Sequence, residues 1–420
     1  MILITNASVL RATGVEMGSV LIDDGRVTAV GEVSPVDATT IDAAGAWVGP
    51  GLVDLHAHFR DPGQTWKEDL VTGARSAAAG GYTAVVMMPN TDPVIDNGPK
   101  VSQLMERASA IDSVALRIAG SLTRAGRGEA MADFDSMYET GVRMFTDDGA
   151  SVPDAALLRK AMSYLSDFPG AIVAEHAEDQ GLAGDGHLHE GRVSALHGIT
   201  GLPGVAEDLI VERDLLLCEE TGIHLHLQHL STARSVEMAR VAKARGLPVT
   251  SEVTPHHLRM VDDDLAELDS NLKMYPPLRP EADRDAVVRG LIDGTIDAVA
   301  TDHAPHTEEE KAVPFEVAPR GVIGLETAAA IVNEATTSDQ AIFFHRLSIG
   351  PAAIAGMPDQ GRPVEPGIVA NLVIFDPNAR WTPGRFESKS NNSPFLGREL
   401  RGRVVVTIRQ GEVTHQGDAI

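Results

Sequence analysis

Residues 51–63 read Gly51-Leu-Val-Asp-Leu-His-Ala-His-Phe-Arg-Asp-Pro-Gly63, and this stretch indicates both a fold and a chemistry. An apolar run ends in His56 and His58, with one residue between them. Side chains alternate between the faces of a strand, so the two imidazoles should project together from a strand end. Neutral imidazoles placed in this way can chelate a metal ion. Arg60 follows at the next position of the same face, where a guanidinium is suited to binding a carboxylate.

The chain around this stretch alternates strand-like apolar runs with segments of helical periodicity. A strand followed by a helix, repeated eight times, predicts an α/β fold of the (β/α)8 TIM-like barrel type. A doubly wound parallel sheet is the alternative, and polar residues at several strand ends favour the barrel. The predicted strands are 52–58, 83–88, 115–120, 142–146, 171–175, 224–229, 249–253 and 298–301, and predicted helices include 67–79, 154–166, 206–220, 233–244 and 283–292.

Both ends of the chain have the pattern of antiparallel β structure. Short alternating segments fill the first fifty residues, and Asp23-Asp24-Gly25 is a hairpin signal between two of them. The last fifty residues are similar. The economical prediction is one small β-sandwich domain built from 1–50 plus 366–420, beside a barrel hydrolase domain of 51–365.

Composition narrows the classes of partner. The chain has 420 residues, 43% of them hydrophobic, and a formal net charge of −25. This charge argues against nucleic acid and anionic membranes, which both need basic surface. An anionic small-molecule substrate would need local positive charge from a metal ion or an arginine. Cys218, the single cysteine, cannot form an internal disulfide, and no apolar stretch approaches the roughly 18 residues of a membrane helix, so a cytoplasmic location is predicted.

Acidic residues and histidines follow several of the predicted strands. Asp147 and Asp148 follow the fourth strand, His176 the fifth, His229 ends the sixth, and Asp302 follows the eighth. Each alone is more often a turn residue, a helix cap or a hydrogen-bonded side chain. If these residues converge in one barrel without a cation, their buried polar atoms would lack hydrogen-bond partners. Mixed His and Asp ligation without thiolate suits Zn²⁺, with Mn²⁺ or Co²⁺ as substitutes.

Several short motifs together resemble those of a known family. They are His56-Ala-His58-Phe-Arg60-Asp-Pro-Gly, Met88-Pro-Asn90-Thr, Phe145-Thr-Asp-Asp148-Gly, Pro255-His-His-Leu258, Lys273-Met-Tyr275-Pro-Pro-Leu-Arg279 and Ala300-Thr-Asp302-His-Ala-Pro-His306. The pattern is similar to that of the amidohydrolase superfamily and, within it, of the bacterial type I dihydroorotases. The likeness covers nearly the whole chain, including the β-domain built from both ends.

The resemblance implies a site for two divalent metal ions, with Zn²⁺ favoured. Its implied ligands are His56, His58 and Asp302 for one ion and His176 and His229 for the other, with Asp148 rather than Asp147 as the bridge. Many superfamily members bridge their metals with a carboxylated lysine instead. Here no lysine occurs between Lys100 and Lys160, so the fourth strand cannot supply one.

The implied activity is reversible hydrolysis of dihydroorotate to N-carbamoylaspartate by a hydroxide held between the metals. Asp302 is the implied catalytic residue, which transfers the proton. The implied substrate-binding residues are His58, Arg60, Asn90, Tyr275, His306, Arg320 and Gly321. The chain departs from the family pattern at Tyr275, where Asn is common, and at Arg320, where Phe is common.

Two alternative functions stay open at this point. A hydantoinase- or allantoinase-like enzyme is disfavoured by Arg60 and Asp148 but kept open by Tyr275. An inactive scaffold for aspartate transcarbamoylase is disfavoured by the complete ligand set. A homodimer and an active enzyme associated with aspartate transcarbamoylase are further partner predictions. The charged, proline-containing segment 307–320 is predicted to be a mobile loop over the site.

Overall fold

The computed structural model describes residues 1–33 and 37–417, and its strands lie in three groups along the chain. The first group is β1 (Ile2–Arg11), β2 (Gly14–Asp23), β3 (Arg26–Gly31), β4 (Thr39–Asp42) and β5 (Trp47–Pro50). The second is β6 (Leu52–Ala57), β7 (Tyr82–Met87), β8 (Ala115–Ile118), β9 (Met144–Phe145), β10 (Ile172–Glu175), β11 (Leu188–His189), β12 (Gly201–Leu202), β13 (His224–Leu227), β14 (Val249–Val253) and β15 (Ala298–Val299). The third is β16 (Leu372–Trp381), β17 (Leu400–Arg409) and β18 (Glu412–Gln416).

Helices occupy the middle of the chain, between and after the second group of strands. They are α1 (Leu70–Ala79), α2 (Gly98–Ala108), α3 (Phe134–Glu139), α4 (Ala155–Leu165), α5 (Gln180–Ala183), α6 (Arg192–His197), α7 (Val205–Thr221), α8 (Ala233–Ala244), α9 (Pro255–Arg259), α10 (Glu281–Asp293), α11 (Glu308–Lys311), α12 (Ala328–Ala335), α13 (Gln340–Phe344) and α14 (Gly350–Ile354). Shorter turns of helix lie at Arg124–Gly126, Asp262–Glu267, Ser270–Leu272 and His345–Ile349. None of the helices within the described ranges combines the length and the apolar character that crossing a membrane requires.

The strands of the middle region pair in parallel and in chain order. One sheet has the order β6-β7-β8, and another runs from β9 through β10, β13 and β14 to β15. Parallel bridges join the two sheets at both ends, between Gly120 and Phe145 and between Ala57 and His303. We infer from this connectivity the closed ring of a (β/α)8 barrel, with the carboxyl ends of all its strands at one rim.

The strands of both termini join a single sheet. Its order is β18-β17-β16-β5-β1-β2-β3, and β4 also pairs with β1. Along β16, Leu372 and Ile374 belong to an apolar cluster enclosed by this sheet, whereas Val373 and Phe375 belong to the main core. Because side chains alternate along a strand, one face of the sheet covers its own core and the other packs on the barrel helices.

The β structure built from both ends is therefore confirmed at the level of strands. Hydrogen bonding connects these strands in one continuous sheet, so the division into the two layers of a sandwich stays a prediction. The boundaries 1–50 plus 366–420 and 51–365 also stay predictions, and residues 34–36 and 418–420 of the predicted β-domain lie outside the described residues.

The bounds of some predicted elements agree with the structure, and those of others do not. The bounds of β14 and α8 coincide with the predicted 249–253 and 233–244. By contrast, β9 and β15 are only two residues long, although 142–146 and 298–301 were predicted. Asp302, three residues after the end of β15, adopts a left-handed conformation with φ 45°. The shortened strands end where the acidic site residues begin.

Candidate metal centre and active site

A cleft opens at the carboxyl ends of the barrel strands. It is lined by His58, Arg60, Asn90, Asp148, Gly149, His176, His229, Tyr275, Asp302, Ala304, Arg320 and Gly321. Two predicted site residues lie directly behind this lining. His56 is fully buried against Asp148, and the ring of His306 contacts Arg60 and the carbonyl of Arg320. The fold thus brings every predicted site residue into one region.

His56 and His58 do turn toward the same point, but not through a regular strand. The pairing of β6 with β7 is irregular between Asp54 and Ala57, so the strand is distorted at His56. The ring centroids of His56 and His58 lie 5.3 Å apart. The prediction that Arg60 continues the same strand face was wrong, because β6 ends at Ala57 and Arg60 has a φ of 56°. A left-handed turn, rather than strand alternation, carries Arg60 into the cleft.

Asp148 lies at the centre of the predicted ligands. Its Oδ1 is 3.1 Å from His56 Nε2, and its Oδ2 is 3.3 Å from His58 Nε2. The same Oδ1 lies 3.9 Å from His176 Nδ1 and 3.9 Å from His229 Nε2. Two groups of possible ligands result, each with three members, and Asp148 belongs to both. This is the arrangement that a carboxylate bridging two cations requires.

Unpaired buried atoms indicate that this centre suits cations. His56 Nε2, Asp148 Oδ1 and His229 Nε2 are buried and have no hydrogen-bond partner among the described residues. Burial opposes protonation of His56, but the neighbouring Asp148 and Glu252 hold the pKa of this imidazole well above its usual value. Burial likewise opposes ionisation of Asp148, yet His56 and the other imidazoles keep its pKa well below the usual range. A divalent cation would replace the proton that this field favours, so the donor set fits metal ions.

The two histidines of the second group are suited to ligation in their neutral form. Burial lowers the pKa of His229 to about 3, and His176 and His56 add to the effect. Burial also lowers the pKa of His176. His229 has a left-handed backbone, with φ 31°, at the end of the sixth barrel strand. Such backbone strain in a buried residue is typical of functional sites.

The neighbouring carboxylates Asp147 and Asp148 have different surroundings. Asp147 accepts hydrogen bonds from the Ser121 hydroxyl at 2.5 Å, from the Thr123 backbone N–H at 2.9 Å and from the Thr123 hydroxyl. Its bonds join the ends of the third and fourth barrel strands. Asp148 faces the histidines instead. These contacts support the choice of Asp148 over Asp147 as the bridging residue.

Asp302 lies beside the two histidines of the first group. Its Oδ1 is 3.0 Å from His58 Nε2 and 3.6 Å from His56 Nε2. Burial would raise the pKa of Asp302, but a hydrogen bond from His58 and the charge of His56 hold it below its usual range. An ionised carboxylate at the cleft surface can accept a proton from a group bound there.

Arg60 lines one side of the cleft, and His306 lies behind it. Arg60 Nε donates to the Pro305 carbonyl at 3.3 Å, and Arg60 Nη2 lies 3.4 Å from His306 Nε2. Burial lowers the pKa of His306 to about 3, with a contribution from Arg60. A neutral His306 leaves Arg60 as the positive charge on this side. The guanidinium is therefore placed to bind an anionic group.

Asn90 contacts the ligand set rather than standing free in the cleft. Its Oδ1 lies 2.9 Å from His58 Nδ1, and its Nδ2 donates to the Asp148 carbonyl at 3.1 Å and to Asp148 Oδ2 at 3.2 Å. Both ends of the amide are thus used to orient candidate ligands. The predicted contact of Asn90 with substrate stays a prediction.

The segment 307–320 begins with α11, and lysines hold its later part. Lys273 Nζ donates to the Phe315 carbonyl at 2.7 Å, and Lys311 Nζ donates to the Pro319 carbonyl at 2.9 Å. Burial lowers the pKa of Lys311 to about 7. The predicted mobility of this segment stays a prediction.

Sequence reasoning missed Glu252, a buried carboxylate on β14. Glu252 Oε1 lies 2.8 Å from His56 Nδ1, and Glu252 Oε2 lies 3.0 Å from His226 Nε2. Burial would raise the pKa of Glu252, but hydrogen bonds from His226 and His56 hold it at about 2. A carboxylate behind a ligating histidine fixes the orientation of the ring. A charged residue within the predicted strand 249–253 was the local signal, although its partner His56 is distant in sequence.

Comparisons with known proteins agree with this fold. A family model described as dihydro-orotase-like matches residues 45–235. A dihydroorotase of Pelotomaculum thermopropionicum is 43% identical over 97% of this chain and 96% of its own length. A dihydroorotase of Syntrophotalea carbinolica is 43% identical over 99% of both chains. Among solved structures, the L-hydantoinase (dihydropyrimidinase) from Arthrobacter aurescens superposes with a TM-score of 0.87 at 25% identity, covering 100% of this chain and 97% of its own.

The parallel barrel strands, the His and Asp cluster at their carboxyl ends and the hydantoinase-like fold define an enzyme of the amidohydrolase class. Within this class, the sequence identity to dihydroorotases over nearly the full length of the chain decides the family. The chain belongs to the dihydroorotase family.

Proposed function

We propose that the protein is a dihydroorotase of the bacterial type I, which interconverts (S)-dihydroorotate and N-carbamoyl-L-aspartate. The observation that carries the proposal is the meeting of two features in one cleft. One is the Asp148-centred set of ligands, and the other is the guanidinium of Arg60. The first suits hydrolysis of a cyclic amide, and the second suits a ring that bears a carboxylate.

The proposed cofactors are two divalent ions, with Zn²⁺ favoured. His56, His58 and Asp302 would hold one, His176 and His229 the other, with Asp148 shared between them. When bound, such ions polarise an amide carbonyl and lower the pKa of water. The unpaired buried atoms of His56, Asp148 and His229 support this assignment.

The residues of the chain would then bind the substrate and move the proton. Asp302, ionised and at the cleft surface, takes the proton of the attacking water and passes it to the leaving ring nitrogen. Arg60 binds the ring carboxylate, its Nε donates to the Pro305 carbonyl, and His306 lies beside it. Asn90, Tyr275, Arg320 and Gly321 complete the wall around the ring, together with His58. In the ring-closing direction, Asp302 removes the proton from the ureido nitrogen.

The proposals on partners and location do not follow from the site. A homodimer, an association with aspartate transcarbamoylase and a cytoplasmic location stay predictions. Gel filtration with and without the transcarbamoylase would test the first two.

The decisive test is an assay of the purified protein alone. We expect turnover of dihydroorotate and N-carbamoylaspartate, little turnover of hydantoin or allantoin, and close to two divalent ions per chain by elemental analysis. Activity on hydantoin alone would contradict the proposed substrate. An active protein free of metal would contradict the proposed cofactors.

Arg60→Ala tests the carboxylate contact directly. Loss of a hydrogen-bonded charge of this kind should raise the KM for dihydroorotate by ~100-fold, or about 2.8 kcal/mol. Any residual turnover of hydantoin, which has no carboxylate, serves as the internal control and should change little. An equal loss for both substrates would show that Arg60 supports the fold of the site instead.

A further inference from the structure

Tyr275 and Arg320 form a stacked pair on the cleft wall. The guanidinium carbon of Arg320 lies 4.0 Å from the centre of the Tyr275 ring. Tyr275 also contacts His176, with ring centroids 4.9 Å apart and an angle of 35° between the planes. A candidate metal ligand, an aromatic ring and a guanidinium thus lie in one column along the wall.

Arg320 has donors left over in this position. Its Nη2 donates to the Gly186 carbonyl at 2.5 Å, while Nη1 and Nε make no hydrogen bond within residues 1–33 and 37–417. The side chain is half-buried and lines the cleft. A guanidinium fixed by stacking and by one hydrogen bond presents its remaining N–H groups in a defined direction.

The backbone at this point joins the pair to the side of the cleft that Arg60 lines. His306 Nε2 donates to the Arg320 carbonyl at 2.9 Å and also lies 3.4 Å from Arg60 Nη2. Gly321 follows with φ 122°, and a Cβ there would approach the Ala304 Cβ to 2.7 Å. Only glycine allows the backbone next to Arg320 to lie this close to the wall.

We propose that Tyr275 and Arg320 act as one specificity unit, in which the Tyr275 ring holds the Arg320 guanidinium and this group donates hydrogen bonds to the ureide carbonyl of the substrate. The inference rests on the proposed function. Dihydroorotate offers a carboxylate, a reacting amide carbonyl and a ureide carbonyl. Arg60 would bind the carboxylate, and the Asp148-centred ligands would lie at the reacting amide carbonyl. The stacked pair would face the ureide carbonyl.

The ureide oxygen is an acceptor that survives the reaction. It belongs to the ring in dihydroorotate and to the carbamoyl group in N-carbamoylaspartate. A donor to this oxygen binds substrate and product alike, so it lowers KM in both directions and has little effect on kcat. The unit is therefore a binding determinant and not a proton-transfer group.

The test compares four single variants and one double variant in both reaction directions. Arg320→Met should raise KM by ~20-fold and leave kcat within ~3-fold, because a charge-assisted hydrogen bond is lost. Arg320→Lys should lose nearly as much, because an ammonium group lacks the planar stacking surface. Tyr275→Leu should resemble Arg320→Met, whereas Tyr275→Phe, which keeps the ring, should stay within ~3-fold of the unmodified enzyme.

The double variant Tyr275→Leu/Arg320→Met separates one unit from two independent contacts. A single unit predicts a KM no more than ~2-fold above that of Arg320→Met, since the ring acts only through the guanidinium. Circular dichroism and metal content, unchanged in all variants, exclude a loss of fold or of ligands.

Several outcomes would overturn the inference. An unchanged KM in Arg320→Met would show that Arg320 does not contact the substrate. If the KM increases of the two single variants multiply in the double variant, the two residues are not coupled. A Tyr275→Phe variant as poor as Tyr275→Leu assigns the contact to the phenol hydroxyl instead. Absence of turnover in the unmodified protein overturns the proposed function itself, and with it the inference, so the two failures are distinguishable.

Discussion

Two polar groups of residues inside the barrel differ in how well they are satisfied. The support group consists of Glu252, His226 and Thr250, where Glu252 bonds His226 at 3.0 Å and His226 lies 2.8 Å from the Thr250 hydroxyl. The ligand group is the Asp148-centred set, in which several buried atoms have no partner among the described residues. His56 belongs to both, with Nδ1 bonded to Glu252 and Nε2 facing Asp148.

This difference in hydrogen bonding indicates that the support group holds the site in place and that the ligand group binds. An unsatisfied buried polar group costs about 1–3 kcal/mol, so a cluster of them persists only where the surrounding structure fixes it or a ligand satisfies it. The support group fixes the orientation of His56 through one nitrogen. The other nitrogen is left for a cation. In these two groups, therefore, the satisfied residues position the site, and the unsatisfied atoms are the ones available to bind a cation.

The largest predicted effect concerns the ligand group. Asp302→Asn should lower kcat by ~1,000-fold or more, because the residue can no longer accept the proton. Its thermal unfolding temperature should stay close to that of the unmodified protein. Near-normal kcat in this variant would refute the role of Asp302. The measurement is a steady-state assay with dihydroorotate beside a thermal melt.

Asp147→Asn is the matched control for that change. Its carboxylate is satisfied by Ser121 and Thr123, so it resembles the support group. We expect a loss of about 1–2 kcal/mol in the free energy of unfolding and a much smaller effect on kcat than in Asp302→Asn. A variant of Asp147 as inactive as that of Asp302 would erase the distinction between the two groups.

The sequence predicts the ligand group better than the support group, for a physical reason. His56, His58 and Asp148 stand beside strand ends, where local pattern and motif indicate both element and chemistry. Glu252 acts on His56 across the barrel, through a pairing between distant segments that no local pattern contains. In the fold too, the sequence predicts local features, such as the bounds of β14 and α8.

The left-handed turn at Arg60 was not predictable from strand alternation. Alternation assumes that the strand continues, whereas the backbone at φ 56° leaves it after Ala57. A turn of this kind depends on the surrounding packing, which the sequence pattern does not report. The sequence analysis placed the Arg60 guanidinium in the cleft, but through strand alternation. In the structure, a left-handed turn places it there.

A smaller effect is expected from the link between the two groups. Glu252→Gln keeps the size of the side chain but removes the charge behind His56, so affinity for the divalent ions should fall by ~10-fold. Competition with a chelator measures this affinity without reference to activity. At saturating metal, kcat should recover to within ~3-fold of the unmodified enzyme. Unchanged affinity would mean that Glu252 serves only the packing of the barrel interior.

The smallest effect concerns His257, a satisfied histidine outside the ligand group. Its Nδ1 accepts from the Thr254 hydroxyl at 2.7 Å, its Nε2 donates to the Pro277 carbonyl at 3.3 Å, and burial lowers its pKa to about 4. Between pH 6.5 and 4 the unfolded chain binds a proton here that the folded chain excludes. Above pH 6.5, His257 makes its full contribution to the free energy of unfolding. This contribution falls by up to about 1.4 kcal/mol per pH unit as the solution is acidified. His257→Gln should therefore show a shallower decline in the free energy of unfolding between pH 6.5 and 5, by about one proton, in urea titrations. Equal slopes in the two proteins would show that His257 is protonated in the folded state and would contradict its lowered pKa.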